Sequence, residues 1–432
     1  MIFVAESRNV VARMRKPLEL NNSPLRFTIF VLPATYPAFI SSTAKPTDMR
    51  LLLTIVCSFL LLPVFSQKAT GIKQLNGKTV SSTSIQKRVQ QIVDSAKLAG
   101  LQVAIVNDNK IIWTESFGFK DIENQQKLND STVMYAASLT KPVSGYIFMR
   151  LAEKGIFSLD KPVRDYLKKP IAEYPKWKDL ADDTAAFNRI TPRMLLSHSA
   201  GLPVLRQLYG NKTNLIAKPG EKFYYSNEGI NLLGFMIEEY TGKKLEDIAS
   251  EEVFAPLQMP RTSMIWEHSF ENNFSFAYFK DGKKYGSERR ESSRAAGSMT
   301  TTAQDYARFM INLMKEQGLK KSSYQQLLSP QIFVKSKRGF GPLRDSLTNE
   351  NDAIKLAWGL GIGLFQSPYG KGFFHTGHGE ANQNYAVAFP ERGIALVMLS
   401  NSENFETVSA ELLKACIGDT YSPLKWLGHG GQ

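Results

Sequence analysis

Cysteine is nearly missing from this 432-residue chain: Cys57 and Cys416 are the whole supply. Cys57 lies in an N-terminal apolar run, so a processed chain keeps one thiol and no internal disulfide, and an exported form must rest on its core. Cys416 falls in the apolar pattern of the last helix and reads as a small buried hydrophobe. Histidine is scarce too, with five residues. His375-x-x-His378-x-Glu380 lacks the spacing of a helical His-Glu-x-x-His site, and no cofactor or metal is expected. His198, without a motif partner, reads as part of a buried hydrogen-bonded network. A Gly-x-Ser-x-Gly elbow is absent, which closes the α/β-hydrolase route. Gly359-x-Gly361-x-Gly363 is followed by no helix, so it is not a phosphate loop. Internal repeats and low-complexity tracts are absent as well.

What is present describes a folded domain. Hydrophobic residues make up 43% and charged residues 22% of the chain, enough for a large core and one or two domains. The formal charge is +13. Setting aside residues 1–66, with 7 Lys/Arg and 3 Asp/Glu, leaves 46 against 37, or +9. That surplus suits an anionic environment or plain solubility. The basic residues are scattered without interleaved aromatics, so nucleic acid is not expected as a partner. Met49-Arg50, the apolar run Leu51–Leu62 and the small residues before Gln67 match a secretory signal peptide cleaved after Ser66. The run is short for a membrane span, and a retained anchor is the alternative. Met49 is the expected start, with residues 1–48 an upstream extension. Cys57 follows bulky Val56 and is a poor lipoprotein site. The protein is expected to be secreted or periplasmic, with no stable membrane span after cleavage.

Beyond a linker at 67–82, one catalytic unit is expected over 83–420, followed by a tail at 421–432. Helical spacing over 83–99 precedes two strand runs, Leu101–Val106 and Ile111–Phe119, joined by Asn107-Asp108-Asn109. Apolar faces at the helical period then mark 138–154, 191–198, 226–241 and 302–315. Strand patterns return at Gly359–Phe365, Asn384–Phe389 and Ile394–Leu399, and a last amphipathic helix covers about 403–417. Strands at both ends with helices between predict an α+β fold. Its antiparallel sheet is built from both termini (about 83–135 and 290–420), with a mainly helical insertion at about 136–289.

Three short motifs carry the chemistry. Ser-x-x-Lys occurs five times, at Ser42, Ser84, Ser138, Ser158 and Ser422. Only Ser138 opens a long helix with apolar neighbours (Ala136, Ala137, Leu139, Val143, Ile147). Positions i and i+3 share a helical face, so Lys141 can reach the Ser138 hydroxyl. Burial there lowers the ammonium pKa and turns the amine into a base. The bland alternative is a helix start with a snorkelling lysine. Tyr209-Gly-Asn211 sits in a loop, whereas Tyr225-Ser-Asn227 stands at a loop-to-helix junction. There the Tyr225 phenol can relay a proton, and Asn227 can hold both Lys141 and a substrate amide. Ser226 or Asn227 serving as a helix cap is compatible with this. His375-Thr376-Gly377 lies on a strand run whose first two side chains can face a substrate carboxylate, with Gly377 allowing close approach. The N–H groups of Ser138 and His378 make a candidate oxyanion hole.

In this order the motifs resemble those of the penicillin-recognising serine hydrolases: class C β-lactamases, D,D-carboxypeptidases and their esterase and aminopeptidase relatives. Leu195-Leu-Ser-His-Ser-Ala-Gly-Leu-Pro203, Pro219–Asn227, Ala296-Gly-Ser298 and Trp358-Gly-Leu-Gly361 are similar to stretches of that family, and the likeness covers about 85–417. It implies a β-lactamase/transpeptidase-like fold and an acyl-enzyme on Ser138. Lys141 would be the general base, Tyr225 the acid/base, Asn227 a positioning group, and His375 and Thr376 the carboxylate-binding pair. The implied substrate is a small molecule or peptide with an amide or ester bond. His375 stands where β-lactamases usually have lysine, and neutral imidazole weakens the demand for a carboxylate. A D,D-peptidase- or esterase-like hydrolase is therefore expected. A class C-like β-lactamase and a penicillin sensor that acylates without turnover are the alternatives.

Overall fold

The computed structural model describes residues 70–430. The signal peptide, Met49, Cys57 and the Ser42 motif lie outside the described residues.

One stretch decides the architecture: Ile394–Ser400 (IALVMLS) is buried along its whole length. Apolar residues in succession satisfy a strand covered on both faces, and this one sits inside a nine-stranded antiparallel sheet. Its main strands are β1 (Gly100–Asn107), β2 (Lys110–Asp121), β3 (Ala357–Trp358), β4 (Gly363–Ser367), β5 (Gly370–His378), β6 (Gln383–Phe389) and β7 (Ile394–Ser400). Their spatial order is β3-β4-β5-β6-β7-β1-β2, flanked by two-residue edges at Ile332–Phe333 and Gln126–Lys127. The first and last thirds of the described chain thus meet where β7 pairs with β1. This is the α+β sheet expected from the sequence. Asp108 and Asn109, at φ 49° and 58°, form the β1–β2 turn.

Alternation splits the core in two. Ala395, Val397 and Leu399 of β7 face a cluster with the helices α2 (Thr140–Glu153), α4 (Asn227–Thr241) and α5 (Ala303–Met314). Leu396 and Met398 face the other cluster, with α1 (Ser82–Ala96) and α6 (Ser409–Ile417). Cys416 is fully buried there, and burial pushes its thiol up to about 12.

Three expectations need correction. Residues 71–81, read as linker, form an antiparallel hairpin. Buried Ile72 and Leu75 anchor it, and the Leu75 N–H donates to the Ile417 carbonyl at 2.9 Å. The strand expected over Gly359–Phe365 is a turn followed by β4: Gly361 has φ +84°, and the Gly359 N–H donates to Ile362 O at 2.8 Å. The tail at 421–430 packs against the body, with Trp426 only 3% exposed against Phe223 and Trp358.

Candidate active site

Ser138 lies on a tight turn. Ala137 adopts a left-handed φ of 48°, a conformation that non-glycine residues keep only when their surroundings enforce it. Those surroundings are visible. The Ala136 N–H donates to Met299 O (2.9 Å), and the Thr140 hydroxyl donates to Ala137 O (2.6 Å) and accepts from the Met299 N–H (3.1 Å). A 3₁₀ turn over Ala137–Leu139 then opens into α2.

Lys141, one turn further on, is completely buried. Its Nζ sits 2.8 Å from Ser138 Oγ, 2.6 Å from Asn227 Oδ1 and 2.7 Å from Ala296 O. Burial holds its ammonium well below the usual lysine range. Ala296 O and Asn227 Oδ1 only accept, so once unprotonated the amine would spend its two N–H bonds on them and turn its lone pair to the Ser138 hydroxyl. In that state the amine can take the Ser138 proton. A snorkelling lysine would place its nitrogen in water, and this one does not.

Tyr225 and Asn227 stand where a loop enters α4. Ser226 caps α4, its hydroxyl accepting from the Gly229 N–H at 2.8 Å, and the Asn227 N–H donates to Val204 O at 3.1 Å. Lys141 Nζ lies 4.8 Å from the centre of the Tyr225 ring. Burial raises the phenol pKa, with the Ser138 hydroxyl beside it pulling the other way. Phe340 packs edge-on against the same ring, 4.9 Å between centres.

Strand β5 closes the site. Its pairing with β4 stops at Phe374, so His375–His378 pair only with β6 within the sheet. Gly377 is required here, because a Cβ would fall 2.4 Å from Ala136 O in the turn before Ser138. His375 is 1% exposed, and its Nδ1 lies 2.7 Å from Thr376 O. A carbonyl can only accept, so Nδ1 carries the proton and Nε2 keeps its lone pair. Burial, with a smaller push from Lys141 whenever its amine is protonated, brings this imidazole down to about 3. His375 is therefore a neutral group, not the cation of a carboxylate-binding pair. The Thr376 hydroxyl donates to Asn384 O at 3.1 Å, so in this state its proton is directed into the sheet.

His378 is more than half exposed, and its Nδ1 lies 2.9 Å from Glu406 Oε1. His429 Nε2 reaches the same oxygen at 3.3 Å. Burial alone would raise the Glu406 carboxyl, yet hydrogen bonds from His378 and His429 bring it to about 2. Glu406 in turn raises the His378 pKa, partly opposed by burial.

The structure thus brings Ser138, Lys141, Tyr225, Asn227 and His375–His378 into one place. Sequence reasoning missed three supporting groups. Ala296 O has a signal, because it lies in the family-like stretch Ala296-Gly-Ser298. Asn384 joins β5, β7 and the segment before Ser138: its Nδ2 donates to Tyr135 O (3.1 Å) and its Oδ1 accepts from the Ser400 N–H (3.1 Å). Neither Asn384 nor the Glu406–His429 pair belongs to a motif.

Comparison with known proteins agrees with this geometry. A model of the Beta-lactamase family matches residues 85–416. Protein flp of Staphylococcus aureus (strain N315) is 25% identical over 201 residues, 42% of this chain and 38% of that protein. The D-aminopeptidase of Brucella anthropi is 26% identical over 193 residues, 43% of this chain and 36% of that protein. The matched part thus spans less than two fifths of the length of these relatives. Among solved structures, the octameric penicillin-binding protein homologue from Pyrococcus abyssi superposes with a TM-score of 0.63 at 20% identity, covering 77% of this chain and 76% of that one. The D-alanine carboxypeptidase AmpC from Burkholderia cenocepacia gives 0.61 at 16% identity, covering 77% and 97%. These two likenesses concern the fold. With the family model spanning most of the chain, this protein belongs to the Beta-lactamase family.

Proposed function

We propose that this protein is a serine hydrolase that opens an amide or ester bond through an acyl-Ser138 intermediate, with D,D-peptidase- or esterase-like selectivity. The observation that carries the reading is the buried Lys141 amine, held by two acceptors and 2.8 Å from Ser138 Oγ. In acylation the Ser138 proton passes to Lys141 while Oγ bonds to the substrate carbonyl carbon. The N–H groups of Ser138 and His378 receive the developing oxyanion. Tyr225 donates a proton to the leaving nitrogen or oxygen as the scissile bond breaks, and is reprotonated from Lys141. In deacylation water gives a proton to the Tyr225–Lys141 pair and bonds through its oxygen to the acyl carbon; the acyl–Oγ bond then breaks, the pair returns the proton to Ser138 Oγ, and the acid is released. Asn227, with its oxygen on Lys141, keeps its amide N–H groups for a substrate carbonyl.

A neutral His375 supplies no fixed cation for a substrate carboxylate, which supports the esterase-like side of this reading over a dedicated β-lactamase. The N-terminal signal pattern supports action outside the cytoplasm, on a small molecule or a peptide. The test is covalent labelling with a fluorescent β-lactam and a fluorophosphonate. Wild type should label and Ser138→Ala should not; persistent labelling of the variant would move the nucleophile elsewhere. Steady turnover of an ester or a D-alanyl-D-alanine peptide separates a hydrolase from a sensor that acylates once.

A further inference from the structure

His198 is fully buried and takes no part in the proton transfers above, yet it touches four consecutive residues of the segment that carries the phenol. It follows the short helix α3 (Pro192–Leu196) and has a left-handed φ of 56°. Its carbonyl accepts the Tyr224 N–H at 2.6 Å, and its Nδ1 accepts the Ser226 N–H at 3.1 Å. Its ring lies 4.4 Å from the Tyr225 ring at 37°, 5.9 Å from Phe223 and 5.4 Å from Trp358. The turn that holds His198 is fixed in its turn to the nucleophile helix. Leu196 O accepts the Gly361 N–H at 2.9 Å, and at Gly361 a Cβ would come 2.7 Å from Lys141 O.

These contacts form a template. The two hydrogen bonds fix the backbone on either side of Tyr225, and the ring between them sets the plane of the phenol. Any residue here would offer the carbonyl, but one chosen only to fill space would not need the Nδ1 acceptor on the Ser226 N–H or a strained backbone. A backbone N–H always donates, so Nδ1 is unprotonated and Nε2 carries the hydrogen. That hydrogen has no partner among the described residues, and the ring stays neutral beside Lys141 and His375.

We infer that His198 is a positioning residue for the proton relay, orienting the Tyr225 phenol toward Ser138 through ring contact and paired backbone hydrogen bonds. The inference rests on the hydrolase reading above. His198 acts through Tyr225 and touches no reacting atom.

The experiment uses His198→Asn. Asparagine tolerates a left-handed backbone, and its Oδ1 can take the Ser226 N–H, so this variant keeps the turn and loses the ring. Labelling of Ser138 should slow by about ten- to a hundredfold, part of what a displaced acid/base costs. The alkaline limb of the rate profile should move to lower pH, because a less buried phenol ionises more easily. In a Tyr225→Phe background, His198→Asn should cost nothing further, since the group it orients is already gone. His198→Gln supports the same measurements if the Asn variant does not fold. Wild-type labelling rates and an unmoved profile in a folded variant would overturn the inference, as would full additivity with Tyr225→Phe. Failure of the hydrolase reading looks different: wild type itself would show no Ser138-dependent labelling.

Discussion

Replacing His375 with glutamine should flatten the acid side of the stability curve. The imidazole is 1% exposed, and burial, helped by Lys141 only when that amine is protonated, brings it from 6.5 to about 3. In the unfolded chain it titrates near 6.5. As pH falls below 6.5 the unfolded state therefore takes up a proton that the folded state refuses, and stability is lost over the window from 6.5 down to about 3. At pH 5 about 97% of unfolded molecules carry that proton and almost no folded ones do, which makes the loss relative to pH 8 about 2 kcal/mol. The figure changes little for any folded value below about 4, because the unfolded titration controls it. Glutamine does not titrate, and a constant cost of the substitution cancels between the two pH values. Urea unfolding of both proteins at pH 8, 6.5 and 5 measures the effect. The wild type should lose about 2 kcal/mol more than His375→Gln between pH 8 and 5. Parallel curves would mean that His375 accepts its proton in the folded state, and the neutral-site reasoning would fail.

Other perturbations probe the surrounding parts. Lys141→Ala should slow acylation by about 10²–10⁴-fold, the range for a lost general base, in stopped-flow labelling of folded protein. Gly377→Ala pushes a methyl against Ala136 O at 2.4 Å and should cost about 1–3 kcal/mol, read by urea unfolding, together with slower Ser138 labelling. Trp426→Ala opens a cavity beside Trp358 and Phe223 and should destabilise the fold by about 3–5 kcal/mol in the same assay.

How much of this was legible depends on range in sequence. Ser138 and Lys141 were readable because the helical period alone puts them on one face, and Tyr225–Asn227 because a loop enters an amphipathic helix there. The run Ile394–Leu399 announced a strand by being apolar throughout. The partners that complete the site come from pairings of high sequence separation. Lys141 meets Ala296 O across 155 positions, and Asn384 meets Tyr135 O across 249. A backbone carbonyl carries no side-chain signature, so Ala296 could be noticed only within a family-like stretch. The charge state of His375 was legible only as a doubt. Its spacing suggested a cation, and burial among Trp358, Tyr225 and Lys141 makes it neutral. The Gly359–Phe365 stretch read as one strand because glycine spacing does not reveal that Gly361 takes φ +84°.

The claim on which the account depends is that an unprotonated Lys141 activates Ser138 near neutral pH. Its most direct test is the rate of Ser138 acylation as a function of pH, by quenched-flow intact-mass spectrometry. The rate should reach its plateau at a pH well below the ordinary lysine value of 10.5, with the acid limb vanishing in Lys141→Ala. A rate that keeps climbing tenfold per pH unit toward 10.5 would show a charged lysine at neutrality and contradict the account.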